Sequence, residues 1–298
     1  MLSDKFKNYL HLHFLVFIAG FTAILGQLIS IKAVPLVWFR MLLASILVAF
    51  FIKFSKAKIK VSVKSILKLS IAGVIIALHW VAFFGAIDAS NVSITLAMFS
   101  SGTFFASIIE PIVYKRRVIW YEIIFGLLVI VGVFIITQSE IAYLKGILLG
   151  ILAAFLSSLF AVLNGSFLKQ HNATTISYYE FLSGAIFLSI FILFFEGGFS
   201  KDFFQLSAKD FWYLFILASI CTAYAFIAAI HVMRHISPYT VVLTYNLEPI
   251  YGMIIAIFLF PEKEKMSTNF YFGASIVIIT VLLNAVLKNR RKLKRKRA

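Results

Sequence analysis

The sequence predicts an all-α integral membrane protein of ten transmembrane helices, arranged as two inverted five-helix repeats. Three observations carry this prediction. Ten apolar segments run through the 298-residue chain, each about 20 residues long, the length that crosses a bilayer as a helix. The composition is 62% hydrophobic with a mean hydropathy of +0.99 and only 13% charged residues, too little polar surface for a soluble enzyme of this size. Finally, segments in the first half of the chain align with segments in the second at nearly constant offsets.

The first set of spans is Leu12 to Ile31, Val34 to Phe54, Ile66 to Ile87, Val92 to Tyr114 and Val118 to Thr137. The second is Gly146 to Leu168, Thr175 to Phe195, Phe211 to Met233, Ser237 to Phe260 and Phe270 to Leu287. The longest connections, Lys53 to Lys64 and Glu196 to Asp210, are too short to hold a soluble domain. The chain therefore reads as one membrane domain over 1–298, with repeats at 12–137 and 146–287 and a basic tail at 288–298. No small-residue cleavage site follows the first apolar run, which reads as an uncleaved signal anchor. The single cysteine, Cys221, lies in an apolar segment. It excludes a disulfide framework and reads as a packing residue.

Orientation follows from lysine and arginine, because basic loops stay cytoplasmic. With the N-terminus inside, the inner segments hold 21 of the 28 basic residues. They are Lys5, Lys7, Lys53, Lys56, Lys58, Lys60, Lys64, Lys68, Lys115, Arg116, Arg117, Lys169, Arg234 and the eight between Lys288 and Arg297. The outer segments hold six: Lys32, Lys145, Lys201, Lys209, Lys263 and Lys265. A multi-pass protein of the cell membrane with both termini cytoplasmic is expected. The same bias accounts for the net charge of +16. The tail KNRRKLKRKRA reads as an anchor touching anionic lipid, not as a nucleic-acid binder.

The repeat is visible in three alignments. VSITLAMFSSGTFF from Val92 falls on PYTVVLTYNLEPIY from Pro238 at an offset of 146. IFGLLVIVGV from Ile124 falls on YFGASIVIIT from Tyr271 at 147, and PLVWFRMLLASILV from Pro35 on TISYYEFLSGAIFL from Thr175 at 140. With five spans per set, the second copy lies upside down relative to the first, an architecture that places a site between the copies near the midplane. In this alignment Gly102 and Thr103 face Glu248 and Pro249, Arg117 faces Glu264, and Arg40 faces Glu180.

Polar groups inside spans are costly, about 2.5–3.5 kcal/mol for a charge at the helix centre on insertion scales. They are kept where they face a cavity or pair. Glu248 lies mid-way along the ninth span, and Pro249 frees the carbonyl of Tyr245 one turn back and kinks the helix. A carboxylate there binds a cationic group, carries a proton, or is a buried structural acid. Tyr245, Asn246 and Tyr251 lie within a turn of it, and Ser100, Ser101 and Thr103 sit at similar depth in the fourth span. Those three hydroxyl residues serve close packing as readily as binding. His79 and Trp80 of the third span, Asn164 of the sixth and Tyr224 of the eighth complete the cavity candidates. Arg40 and its mate Glu180, flanked by Tyr178 and Tyr179, lie about two turns inside opposite surfaces and read as gate or structural charges. Glu110 belongs with them as a charge paired locally with Lys115, and Pro111 marks a second kink. GILLG from Gly146 matches a small-xxx-small packing pattern.

With its span count, the WFRMLLA motif from Trp38, and NLEPIYGMIIAIFLFPEKE from Asn246 followed by GASIVIITVLL from Gly273, the chain resembles the drug/metabolite transporter superfamily, specifically its ten-helix EamA-type members. The resemblance covers nearly the whole chain. It implies a central cavity lined by helices one, three, four, six, eight and nine, with helices five and ten supporting it or forming a homodimer. It also implies secondary transport of a small polar metabolite, an amino acid or related compound, with export favoured. No cofactor is expected. The one cysteine and scattered histidines give no metal cluster, and no Walker-type loop signals ATP coupling. Two other classes are weighed. A membrane-embedded enzyme would need a clustered catalytic set, and the four aspartates Asp4, Asp88, Asp202 and Asp210 are unpaired. A structural or receptor-like protein would lack a mid-membrane acid such as Glu248.

Overall fold

The computed structural model describes residues 4–55, 59–115, 117, 119–232, 235, 244–245 and 247–297. Every regular element among them is helical, with no strand. The elements are α1 (Asp4–Leu28), α2 (Ala33–Ser55), α3 (Val63–Ala89), α4 (Val92–Phe99), α5 (Gly102–Tyr114), α6 (Trp120–Ser139) and α7 (Leu144–Phe167). They continue with α8 (Ala173–Phe195), α9 (Ala208–Ala218), a π-helical turn at Ser219–Tyr224, α10 (Ala225–Val232), α11 (Glu248–Leu259) and α12 (Thr268–Arg297). Seven helical stretches are long and apolar enough to cross a membrane. Three shorter apolar helices, Ile123–Ser139, Glu248–Leu259 and Thr268–Leu283, accompany them.

Short polar side chains start several of these helices, each accepting from a backbone N–H that the first turn leaves free. Ser62 caps α3, Asn91 caps α4, Asn172 caps α8 and Ser207 caps α9.

Four features differ from the expected spans. The segment from Val92 is two helices, because the hydrogen-bond ladder is interrupted at Ser100 and Ser101, whose backbones stay in the right-handed helical region, before it resumes at Gly102. Ser101 N–H bonds back three residues to the Met98 carbonyl, and Ser158 Oγ donates to the Gly102 carbonyl at 2.6 Å. The eighth segment carries the π turn, in which Thr222 Oγ1 reaches the Leu217 carbonyl five residues back at 2.6 Å. In the ninth segment α11 begins at Glu248, so Pro249 occupies the first turn rather than kinking a helix. Proline suits that place, since its missing N–H is not needed there. Pro111, by contrast, does sit inside a helix, α5. Lastly, α12 does not stop at Leu287 but runs on through the basic stretch to Arg297.

The packing is built around α3, α8 and α2. α3 lies against α7 and α8, and α2 against α8 and α9. α1 packs on α10 and α11, α4 on α7 and α11, and α6 on α12. Glycines permit the closest approaches. Gly132 of α6 and Gly273 of α12 each put their Cβ position within 3 Å of the other's carbonyl oxygen. Gly146 and Gly150, the small-xxx-small pair, face Ser90 and Met98 respectively. Gly73 of α3 has the closest approach to main chain: a Cβ there would run into the Glu180 carbonyl oxygen and come within 2.9 Å of its Cα. Main chain cannot yield as a side chain does, so Gly73→Ala must push α3 from α8. Overpacking of this kind costs about 1–3 kcal/mol. The expected result is a lower unfolding midpoint in detergent for Gly73→Ala, while Gly85→Ala, whose Cβ would only touch Leu149 at 3.5 Å, leaves it unchanged.

Candidate functional site

A buried guanidinium organises the interior. Arg40, on α2, is 3% exposed. Its Nε donates to Thr222 Oγ1 at 2.7 Å, and its Cζ lies 3.8 Å from the centre of the Trp80 ring. The π turn makes the first contact possible. By bonding five residues back, Thr222 leaves its oxygen free to accept from Arg40. Trp80 supplies the second contact, a ring face for a cation, and its far surroundings are aromatic: Phe181 lies 5.9 Å away. The Nη1 of Arg40 is buried with no hydrogen-bond partner. A charged donor left unmet in a dry interior is expensive.

Across from it stands Glu248, partly buried, the first residue of α11. Its carboxylate and the guanidinium are close enough for their charges to interact, and Tyr245 is close enough to Glu248 to feel it. The free N–H groups at the start of α11 add a partial positive charge that favours a carboxylate there. The guanidinium thus has the Trp80 ring on one side and the Glu248 carboxyl within electrostatic reach.

Other expected site residues lie elsewhere. His79 Nδ1 bonds the Ala153 carbonyl at 2.8 Å and its ring is enclosed by Phe83, Phe99 and Phe160. Asn164 of α7 meets Glu180 of α8: its Nδ2 donates to Glu180 Oε2 at 3.2 Å. Ser100 and Ser101 turn their hydroxyls onto the carbonyls of Leu96 and Met98. Thr103 lines a small cleft with Phe104, Phe125, Gly126 and Thr280, between α5, α6 and α12. Tyr224 is 44% exposed and bonded to His11 at 2.7 Å. Tyr251 packs edge-on against Phe17 of α1. Glu110 is half-buried on α5, one residue before Pro111. Asn246 lies outside the described residues. Of the expected set, then, Arg40, Trp80, Glu248 and Tyr245 come together.

A second polar layer was not foreseen. At one end of the bundle, acidic side chains bind backbone N–H groups of neighbouring segments. Glu264, 1% exposed, accepts from Val92 N at 3.1 Å and Ser93 N at 2.8 Å, at the start of α4. Beside it Asn91 Nδ2 donates to the Lys263 carbonyl. Asp210 accepts from Ser30 N and Ser30 Oγ at 2.8 and 2.7 Å. Glu140 accepts from Ser267 N at 3.0 Å, and Asp88 from Ala33 N. Among the described residues no group of three or more histidine, cysteine, aspartate and glutamate side chains could hold a metal.

The profile of the EamA-like transporter family matches this chain twice, over residues 8–138 and again over 144–286. The chain belongs to the EamA-like transporter family. This EamA-family protein is therefore of the drug/metabolite transporter type, a family of membrane transporters rather than enzymes, and its helices are those of a multi-pass membrane protein. A solved structure described only as "Crystal structure of protein" superposes with a TM-score of 0.66. The alignment covers 97% of this chain and 100% of that one at 12% identity, so it speaks for the fold. No curated protein matches this EamA-family chain. The residues that sequence reasoning passed over are Thr222, Ser30 and Asn91. Thr222 carried no signal beyond a hydroxyl in a span, whereas Asn91 stood at a recognisable cap position.

Proposed function

We propose that this protein is a secondary transporter of ten spans in two inverted five-helix repeats, moving a small zwitterionic metabolite, an amino acid or related compound, by alternating access. One observation carries the reading. α5 begins at Gly102 and α11 at Glu248, a separation equal to the 146-residue offset that aligns the two halves. Both repeats are interrupted at the same internal position, and paired interruptions in corresponding spans are the strongest pointer to a transporter's binding site. Helix neighbours also exchange in pairs. α3 beside α7 is matched by α9 and α10 beside α1, and α4 beside α7 by α11 beside α1. α2 and α8 start and end at residues 33 and 173, 55 and 195, the 140-residue offset throughout.

In this reading Arg40 binds the substrate carboxylate through its unmet Nη1, Trp80 supports the stack, and Glu248 with Tyr245 receives the ammonium group. The acidic layer then closes the outer side. Both termini are cytoplasmic in a cell-membrane protein, with the basic tail on anionic lipid. Export is the direction that family membership favours.

The test is a metabolite uptake screen in proteoliposomes, with and without a pH gradient, comparing the wild type with Glu248→Gln. Saturable flux of one zwitterionic class is expected, with apparent affinity weakened about tenfold or more in the variant, since a lost charged hydrogen bond costs about 1.5–3 kcal/mol and about 1.4 kcal/mol is tenfold. Absence of flux for every compound, from folded protein, would remove the reading. Equal flux in both proteins would leave a transporter whose substrate does not touch Glu248.

A further inference from the structure

We propose that Glu180 and Asn164 form a proton-binding site within the membrane, separate from the Arg40–Glu248 centre, and that the carboxyl carries its proton in the conformation seen here. Glu180 is 0% exposed and Asn164 6%. One hydrogen bond joins them, Asn164 Nδ2 to Glu180 Oε2 at 3.2 Å. Two oxygens are then left buried with no partner, Glu180 Oε1 and Asn164 Oδ1. They belong to the same pair. If Glu180 is ionised, both are acceptors and neither can satisfy the other. If it is protonated, Oε1 becomes a donor and Asn164 Oδ1 is the acceptor beside it. One proton removes both deficits and closes an acid–amide ring.

Among the described residues, no cation is seen to pair with Glu180. From α2, Arg40 is held by Thr222 and Trp80 and its charge is shared with Glu248. From α3, His79 is bonded to Ala153, Lys68 is exposed near the start of the helix, and the element nearest Glu180 is Gly73, which has no side chain. From α10, His231 packs its ring against His235. Of the neighbouring phenols, Tyr179 donates to the Ile59 carbonyl and Tyr114 to the Val162 carbonyl. Lys169, beyond the end of α7, lies over the Tyr114 ring.

Release follows from opening. When water reaches the pair, the Oε1–H bond breaks, the proton passes to water and the electron pair stays on Oε1. The carboxylate keeps Asn164 Nδ2 as donor and takes water at Oε1. Occupation by a proton therefore favours the dry, packed arrangement, and vacancy favours the hydrated one.

The experiment is infrared spectroscopy of the full chain in lipid nanodiscs over a pH titration. The carbonyl band of a protonated carboxylic acid is expected in the wild type near neutral pH. It should be missing from Glu180→Gln, shifted in Asn164→Leu, and replaced by carboxylate absorption on the alkaline side. Glutamine at 180 preserves the ring, with its amide donating to Asn164 Oδ1, so this variant is expected to fold. Should it not, the shift in Asn164→Leu decides. A band unchanged by either substitution, or one that persists at every pH, overturns the proposal. The spectra do not depend on transport, so this inference can fail while the transporter reading stands, and the reverse. The accompanying flux measurement does rest on that reading: Glu180→Gln should lose accumulation driven by a pH gradient and keep substrate exchange at equal pH. Retained gradient-driven accumulation would overturn exchange of this proton during transport.

Discussion

An Arg40→Met variant should still fold and transport nothing measurable. The stability half follows from what arginine leaves behind. Thr222 still donates to the Leu217 carbonyl at 2.6 Å, so its hydroxyl is not orphaned when Nε departs. Trp80 loses a cation and gains a thioether, which also packs well on an aromatic ring. The unmet Nη1 disappears along with its desolvation cost. Replacing a whole buried ion pair by apolar side chains is often neutral or stabilising, whereas removing one partner costs about 3–5 kcal/mol if the other stays charged; uptake of a proton by Glu248, whose charge Arg40 faces, avoids that cost. Transport is different, because no other described cation is placed over Trp80 to receive an anionic group. Arg40→Lys should fall between the two. It keeps the charge but loses the planar fork that holds Thr222 with one nitrogen and offers another, so kcat/KM should drop about ten- to a hundredfold for a lost charged bond. Uptake assays paired with thermal unfolding in the same detergent check both halves. A variant that loses stability and flux together would make Arg40 a scaffold residue.

Glu264→Gln is expected to lower stability and loosen the end of the bundle where α4 begins. The wild-type carboxylate accepts from two adjacent N–H groups, one on each oxygen. Glutamine can turn only one oxygen to them. Its amide nitrogen then faces the second N–H, donor against donor, in a place 1% exposed to solvent. Leaving a buried donor unsatisfied costs about 1–3 kcal/mol, and the lost negative charge at a helix N-terminus adds about 0.3–1 kcal/mol. Thermal unfolding should show the loss, whereas Glu262→Gln, at an exposed position two residues away, should behave as the wild type. In transport the variant should favour whichever conformation separates the 260–267 segment from α4. Under the orientation proposed here that is the outward-open one, read as faster labelling of a cysteine placed at Ser93, itself 1% exposed. Unchanged labelling would confine Glu264 to capping.

Much of the helical layout is legible in the sequence, because twenty-residue apolar runs have few other fates. The second and seventh segments were expected at Val34 to Phe54 and Thr175 to Phe195, and their helices begin and end within two residues of that. The interruption at Ser100 and Ser101 was not legible. It falls in the run SSGT, and small hydroxyl residues serve close helix packing as readily as they mark a break. At the break Ser101 N–H bonds three residues back to the Met98 carbonyl, and just beyond it Ser158 on α7 bonds the Gly102 carbonyl. The π turn has the same character, since no residue in SICTAY requires it until Arg40 arrives at Thr222. Among candidate site residues, mid-span charge singles out Arg40 and Glu248, whose charges interact. Depth alone was a poor one for Tyr224, which faces His11. The acidic layer escaped notice for a simple reason. Its partners are main-chain N–H groups, which every residue carries and no sequence pattern advertises.

The last helix has a mechanical consequence. α12 is 30 residues long, about 45 Å at a rise of 1.5 Å per residue, against a hydrocarbon layer of about 30 Å. Roughly a third of it must therefore stand beyond the apolar layer as a continuous rod, and that third carries the sequence KNRRKLKRKR. A flexible tail would let its charges settle anywhere on the headgroups. A rigid one works as a lever: each degree of tilt in the membrane-embedded part sweeps a column of positive charge across the lipid surface. Each lysine or arginine near an anionic surface is worth about 1 kcal/mol. Under the orientation proposed above, the headgroup composition of the membrane would then bear on the tilt of the helix that α6 grips at Gly132.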